Sequence, residues 1–136
     1  MYCFETQFRP RYSETDQMGV VYYGNYPAYY EVARNESMRD LGTSYVEMEK
    51  RGVLLPAREM HIEYKRPAHY DELLTIKMWL DEMPVTRLQH RYEIYNERGE
   101  LLNKGTTTLV FVDAITKKPC GCPEWFADLL RPYFAA

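Results

Sequence analysis

Nowhere in this 136-residue chain is there a run of apolar residues approaching the 18 or so that a membrane-spanning helix requires. No membrane span is expected. Basic residues are also short: 17 Lys and Arg face 20 Asp and Glu, a net charge of -3. That balance lacks the positive footprint of a protein that tracks nucleic-acid phosphates, so no nucleic acid is expected as a partner. Cysteine is sparse. Cys3, Cys120 and Cys122 are odd in number and have no secretory leader ahead of them, a pattern that fits reduced thiols and a cytoplasmic protein. Cys120-Gly121-Cys122 offers two thiolates where a structural zinc wants four ligands, and no His follows at finger spacing, so no metal is expected. Internal repeats and linkers are missing too, which leaves one domain over residues 1–136 as the expected organisation.

Tyrosine, by contrast, is in excess: 13 Tyr stand against 5 Phe and 2 Trp. Each ring carries a hydroxyl that needs a partner wherever it is buried. Six of the thirteen (Tyr12, Tyr22, Tyr23, Tyr26, Tyr29 and Tyr30) fall within nineteen residues.

Periodicity orders the elements. Residues 2–9 alternate, with Tyr2, Phe4, Thr6 and Phe8 on one face, as a half-buried strand does. No helical period holds from Tyr12 to Gly24. A long helix then begins, with Asn25 placed to cap it and Pro27 in its first turn, and Gly42 follows as its terminator. Ser44 and Glu47 form a capping-box pattern for a shorter helix closing at Gly52. Alternation through Met60–Tyr64, Leu74–Leu80 and Leu88–Ile94 predicts strands, Asn96–Gly99 a turn, and Leu101–Val112 a strand run broken by Gly105. A short amphipathic helix is expected over 123–133. Strand, long helix, short helix and about four consecutive strands read as an α+β domain, an antiparallel sheet packed on helix. The edge strands of such a sheet stay open, and a second copy would cover one.

The chemistry concentrates in Tyr12-Ser-Glu-Thr-Asp16-Gln-Met-Gly19-Val-Val-Tyr22-Tyr23-Gly24-Asn25-Tyr26. Asp16 is a carboxylate in a loop, Gly19 allows close backbone approach, and the helix start near Gly24 and Asn25 brings unpaired N–H groups and a positive dipole end. Such a start can bind an oxyanion. With Glu31, Ala33 and Arg34 on the following helix, the string resembles the signature of the hotdog-fold acyl-CoA thioesterases of the 4-hydroxybenzoyl-CoA and Tol-Pal-associated types. A looser likeness covers Ile62–Leu73, with its Pro67-Ala68 turn.

The resemblance implies a hotdog fold, with an antiparallel sheet wrapped around a long central helix, as a homodimer or homotetramer with active sites at the subunit interface. It implies hydrolysis of an acyl-CoA thioester, with Asp16 as nucleophile or general base, and no cofactor beyond the CoA of the substrate. The oxyanion donors would be backbone N–H groups at Tyr23 or Gly24. At the position of Tyr23 the Tol-Pal type has His and the hydroxybenzoyl type Tyr. A phenol is no base at neutral pH but donates hydrogen bonds, so Tyr23 takes a positioning role, and Tyr12 would orient Asp16. Arg58, Lys65 and Arg66 are candidates to meet CoA phosphates.

Plainer explanations stand beside these. Tyr26, Tyr29 and Tyr30 fit core packing, Glu31 and Arg34 fit an i,i+3 ion pair, and His61, His69 and His90 lie far along the chain from Asp16. An acyl-ACP thioesterase and a non-catalytic acyl-CoA-binding module are the alternative functions.

Overall fold

The computed structural model describes residues 1–135. The alternation noted in the sequence becomes a five-stranded antiparallel sheet in the order β1-β4-β5-β6-β3. Its strands are β1 (Tyr2–Phe8), β3 (Ala57–Tyr64), β4 (Leu74–Leu80), β5 (Arg87–Tyr95) and β6 (Leu101–Val110). Because side chains alternate and the register is tight, the inner face reads as rows across the sheet. One row is Phe4, Met78, Tyr92, Gly105 and Ile62. The next is Thr6, Ile76, Ile94, Asn103 and Tyr64.

Helix α1 (Tyr26–Asp40) lies on this face and buries Tyr26, Tyr29, Tyr30, Ala33, Ser37 and Met38. Gly42, with φ +89, ends it as expected. In α2 (Tyr45–Lys50), the Ser44 hydroxyl accepts from the Glu47 N–H at 3.0 Å as expected, but the other half of the capping box does not form, because the Glu47 carboxylate takes Arg51 Nε at 2.9 Å. Helix α3 (Glu124–Phe134) packs beside β1, where Tyr2 and Tyr133 meet edge to face at 4.9 Å. None of these helices is long and apolar enough to cross a membrane.

Two expectations need correction. Gly105 does not break the long strand: β6 runs through it. A Cβ there would stand 2.5 Å from the His61 carbonyl and 2.8 Å from the Tyr30 ring, so the glycine makes room for a tyrosine laid on the strand. Asn25 stands at the N-cap position, yet its side chain does not cap α1. A capping residue is normally extended, whereas Asn25 has helical φ -87 and ψ -16, because a 3-10 turn (Tyr23–Asn25) already leads into the helix. A small ribbon of β2 (Val53–Leu54) with β7 (Val112–Asp113) was not foreseen, since two residues carry no periodicity.

Candidate active site

Between β1 and α1 the chain folds into a tight hairpin over residues 14–22. The Asp16 N–H donates to the Val20 carbonyl at 2.9 Å, the Gly19 N–H to the Asp16 carbonyl at 3.0 Å, and the Tyr22 N–H to the Glu14 carbonyl at 2.9 Å. Gly19 closes the turn with φ +78, a conformation in which a side chain is strained. The Met18 N–H donates to Asp16 Oδ1 at 2.9 Å. This Asx turn orients the half-buried carboxylate, and Oδ2 has no hydrogen-bond partner among the described residues.

The two motif segments, some forty residues apart in sequence, are joined at this hairpin. The Val21 N–H donates to the Ala68 carbonyl at 2.8 Å and the Asp71 N–H to the Pro10 carbonyl at 3.1 Å. Arg9 Nη1 donates to the Asp71 carbonyl at 2.6 Å. Asp71 itself has φ +63. The Tyr12 ring lies against Tyr70 at 5.5 Å, while its carbonyl accepts from the Thr15 hydroxyl at 2.7 Å. Tyr12 therefore touches the loop through its backbone, and its ring packs on Tyr70.

Tyr23 and Gly24 head the 3-10 turn that runs into α1. Their N–H groups sit where helical geometry supplies no partner three residues back. A Cβ at Gly24 would meet the Tyr22 ring at 2.6 Å, so the glycine lets that exposed ring lie over the turn. Tyr22 and Tyr23 pack at 4.8 Å, and Tyr23 meets Tyr64 of β3 at 6.1 Å. The exposed Tyr22 phenol is held above its ordinary range, chiefly by the Tyr23 hydroxyl and to a smaller extent by the Asp16 carboxylate. Tyr22 is thus within the electrostatic reach of Asp16.

Asn25 Nδ2 donates to the Glu14 carbonyl at 2.8 Å. Glu14 was not singled out in the sequence; its trace there is an acidic residue three positions after Arg11, whose N–H it accepts at 2.8 Å.

The three basic candidates are separated. Lys65 and Arg66 follow β3 next to Tyr64 and pair with Glu63 and Glu100, both at 3.3 Å. Arg58 lies at the opposite end of β3, about 20 Å away along the strand. Glu31 and Arg34 do not form the expected ion pair. Arg34 Nη1 instead donates to the Tyr92 hydroxyl at 3.1 Å, in a buried polar cluster with Thr107. This cluster borders a hollow of about 410 Å³ lined by Glu31, Arg34, Tyr45, Met48 and Val53, none of them in the Asp16 hairpin. Burial pushes the Tyr45 phenol up to about 12. His90 is buried and stacks on Tyr92 at 6.0 Å, and its pKa is pushed down to about 3 by burial.

Residues 10–130 match the thioesterase-like superfamily. A Bacillus subtilis (strain 168) protein with the provisional name acyl-CoA thioesterase YneP is 39% identical over 98% of this chain and 96% of its own length. Acyl-CoA thioester hydrolase YbgC of Escherichia coli O6:H1 is 35% identical over 89% of this chain and 90% of its own. The solved structure of a DHNA-CoA thioesterase from Staphylococcus aureus superposes with a TM-score of 0.90 at 38% identity, covering 98% of this chain and 90% of that one. The architecture is that hotdog fold.

Proposed function

The chain belongs to the thioesterase-like superfamily, and from that premise we propose that it is a thioester hydrolase that cleaves an acyl-CoA to a carboxylate and CoA, with Asp16 as the reacting group. The observation that carries this reading is the pairing of an oriented carboxylate with free N–H groups: Asp16 is fixed through Oδ1 by Met18, and Tyr23 and Gly24 head the adjoining turn. A thioester carbonyl is already activated, so one positioned oxygen nucleophile plus donors aimed at the developing oxyanion suffices. Asp16 either adds to the carbonyl carbon or takes a proton from the water that does. The negative charge gathers on the carbonyl oxygen, where the N–H groups of Tyr23 or Gly24 would meet it. Collapse of the adduct breaks the C–S bond and releases CoA as thiolate; where water has added, the acid forms directly, and where Asp16 has added, a second attack by water on the resulting mixed anhydride releases the carboxylate and restores Asp16. Tyr23, exposed beside the hairpin, would donate its hydroxyl to the substrate, and Lys65 and Arg66 beside Tyr64 would meet phosphates, with Arg58 at the far end of β3.

Thiol release from a panel of acyl-CoAs tests this. Asp16→Asn should lower kcat at least 100-fold, within the range typical of removing a catalytic acid or base, without changing the melting temperature. Unchanged turnover would end the mechanism.

A second copy is expected along β3. That strand is an edge, and Met60 and Tyr64, opposite the inward-facing Thr107 and Asn103, are 38% and 51% exposed. Edge strands of this kind invite pairing. Ile62→Lys, between them, should shift the mass measured by light scattering to that of one chain.

A further inference from the structure

We propose that Glu14 is a positioning residue of the reaction, the anchor through which α1 sets the place of the Asp16 carboxylate; this rests on the reading of Asp16 given above. The carbonyl of Glu14 accepts two bonds, from the Tyr22 N–H at 2.9 Å and from Asn25 Nδ2 at 2.8 Å. Its carboxylate oxygen Oε1 accepts two more, from the Arg11 N–H and from the Tyr29 hydroxyl, both at 2.8 Å. These four donors come from the segment that follows β1, from the turn carrying the oxyanion N–H groups and from the buried face of α1. Both sides of the site are therefore referenced to one residue.

The geometry around it explains why this matters. Two residues beyond Glu14, Asp16 sits at the tip of a hairpin whose other bonds, Asp16 N–H to Val20 and Gly19 N–H to Asp16, are internal to the tip. Internal bonds fix the shape of the tip but not its position over the helix. Besides Glu14, the bond from Val21 to Ala68 ties the hairpin to the body, and it lies on the returning strand. Tyr29 is buried and packed on Phe8 at 4.6 Å, so its hydroxyl is a rigid post. Burial and the Glu14 carboxylate both hold the Tyr29 phenol far above its usual range, so it stays a donor at any physiological pH. Asn25 is spent on the same carbonyl, which accounts for an asparagine at a helix start that does not cap the helix. Misplacing a reacting group by an ångström can cost about 100-fold in rate.

The two bonds to Oε1 require an acceptor, not a charge. A glutamine keeps that acceptor and an alanine removes it. Glu14→Ala should therefore lower kcat for acyl-CoA hydrolysis at least tenfold with KM changed less than threefold, and should speed deuterium exchange in the peptide covering 14–25. Glu14→Gln should restore kcat to within threefold and exchange to the wild-type rate. Asn25→Ala, which leaves the carboxylate bonds in place, supplies a second reading if Glu14→Ala does not fold, with the same direction in kcat and exchange. The proposal is overturned if Glu14→Ala keeps kcat within twofold, or if Glu14→Gln falls as far as Glu14→Ala. Should Asp16→Asn prove fully active while exchange in the Glu14 variants behaves as stated, the reading of Asp16 fails and the anchoring of the hairpin stands.

Discussion

Tyr30 and Tyr23 stand seven residues apart on one approach to the helix and occupy opposite surroundings. Tyr30 is fully buried, stacked on Tyr92 at 4.2 Å, and its hydroxyl donates to Asn103 Oδ1 at 2.7 Å. Tyr23 is 62% exposed among other tyrosine rings. The contrast is one of solvent. Inside, an unpaired hydroxyl costs about 1–3 kcal/mol, so a hydroxyl such as that of Tyr30 is matched to a protein acceptor, although that of Tyr45 is buried without one. Tyr2, Tyr29 and Tyr92 follow Tyr30, pairing with Asp40, Glu14 and Thr107. Beside the Asp16 hairpin, Tyr22 and Tyr23 are exposed and interact with each other, not with a buried acceptor. Buried tyrosines thus build the frame, and exposed ones can serve the chemistry.

The contrast is broken most severely at Gly105. An added methyl must push the Tyr30 ring off β6 or the His61 carbonyl out of the ladder, and Gly105→Ala should cost about 3 kcal/mol in urea unfolding, the upper part of the usual overpacking range. Next is His90, also in the frame. Its folded pKa is depressed to about 3, with Arg34 adding to the effect of burial, whereas unfolded histidine titrates near 6.5. The unfolded chain then binds the extra proton, so this contribution is fully present above about pH 6.5 and falls as pH drops toward 3. Stability at pH 5 should be lower than at pH 7.5 by about 2 kcal/mol from this residue, and His90→Leu should remove that slope. A smaller loss, about 1.5 kcal/mol, is expected for Tyr30→Phe, which leaves Asn103 Oδ1 without its donor. Tyr23→Phe sharpens the comparison from the other side. Stability should stay within about 0.5 kcal/mol, as for most surface changes, while kcat falls several-fold; a Tyr23→Phe enzyme with normal kcat would return Tyr23 to mere surface.

Much of the frame was legible in the chain because its signals are local. Alternation in Leu74–Leu80 and Leu88–Ile94, the glycine after α1 and the Ser44 cap each depend on neighbours a few residues away, and each stands as expected. Asp16, Gly19, Gly24 and a loop ahead of the helix were legible in the same way. Asn25 and Gly105 were misjudged for a shared reason: their roles are set by partners far along the chain, Glu14 across the hairpin and Tyr30 across the core. Arg34 belongs with them, since its partner Tyr92 lies fifty-eight residues on and outweighs a nearby Glu31 that remains in water.

By itself, the sequence determined which residues alternate, where the helices begin and end, and that one loop carries a carboxylate beside a helix start, because these follow from backbone propensity and side-chain period. Only the tertiary structure decided which hydroxyls are spent and which stay free, that Ala68 and Val21 join the two motif segments, and that Glu14 holds the hairpin to the helix. Hydrogen-bond partners and burial belong to the packed chain, and a string of residue types does not specify which distant donor will meet which acceptor.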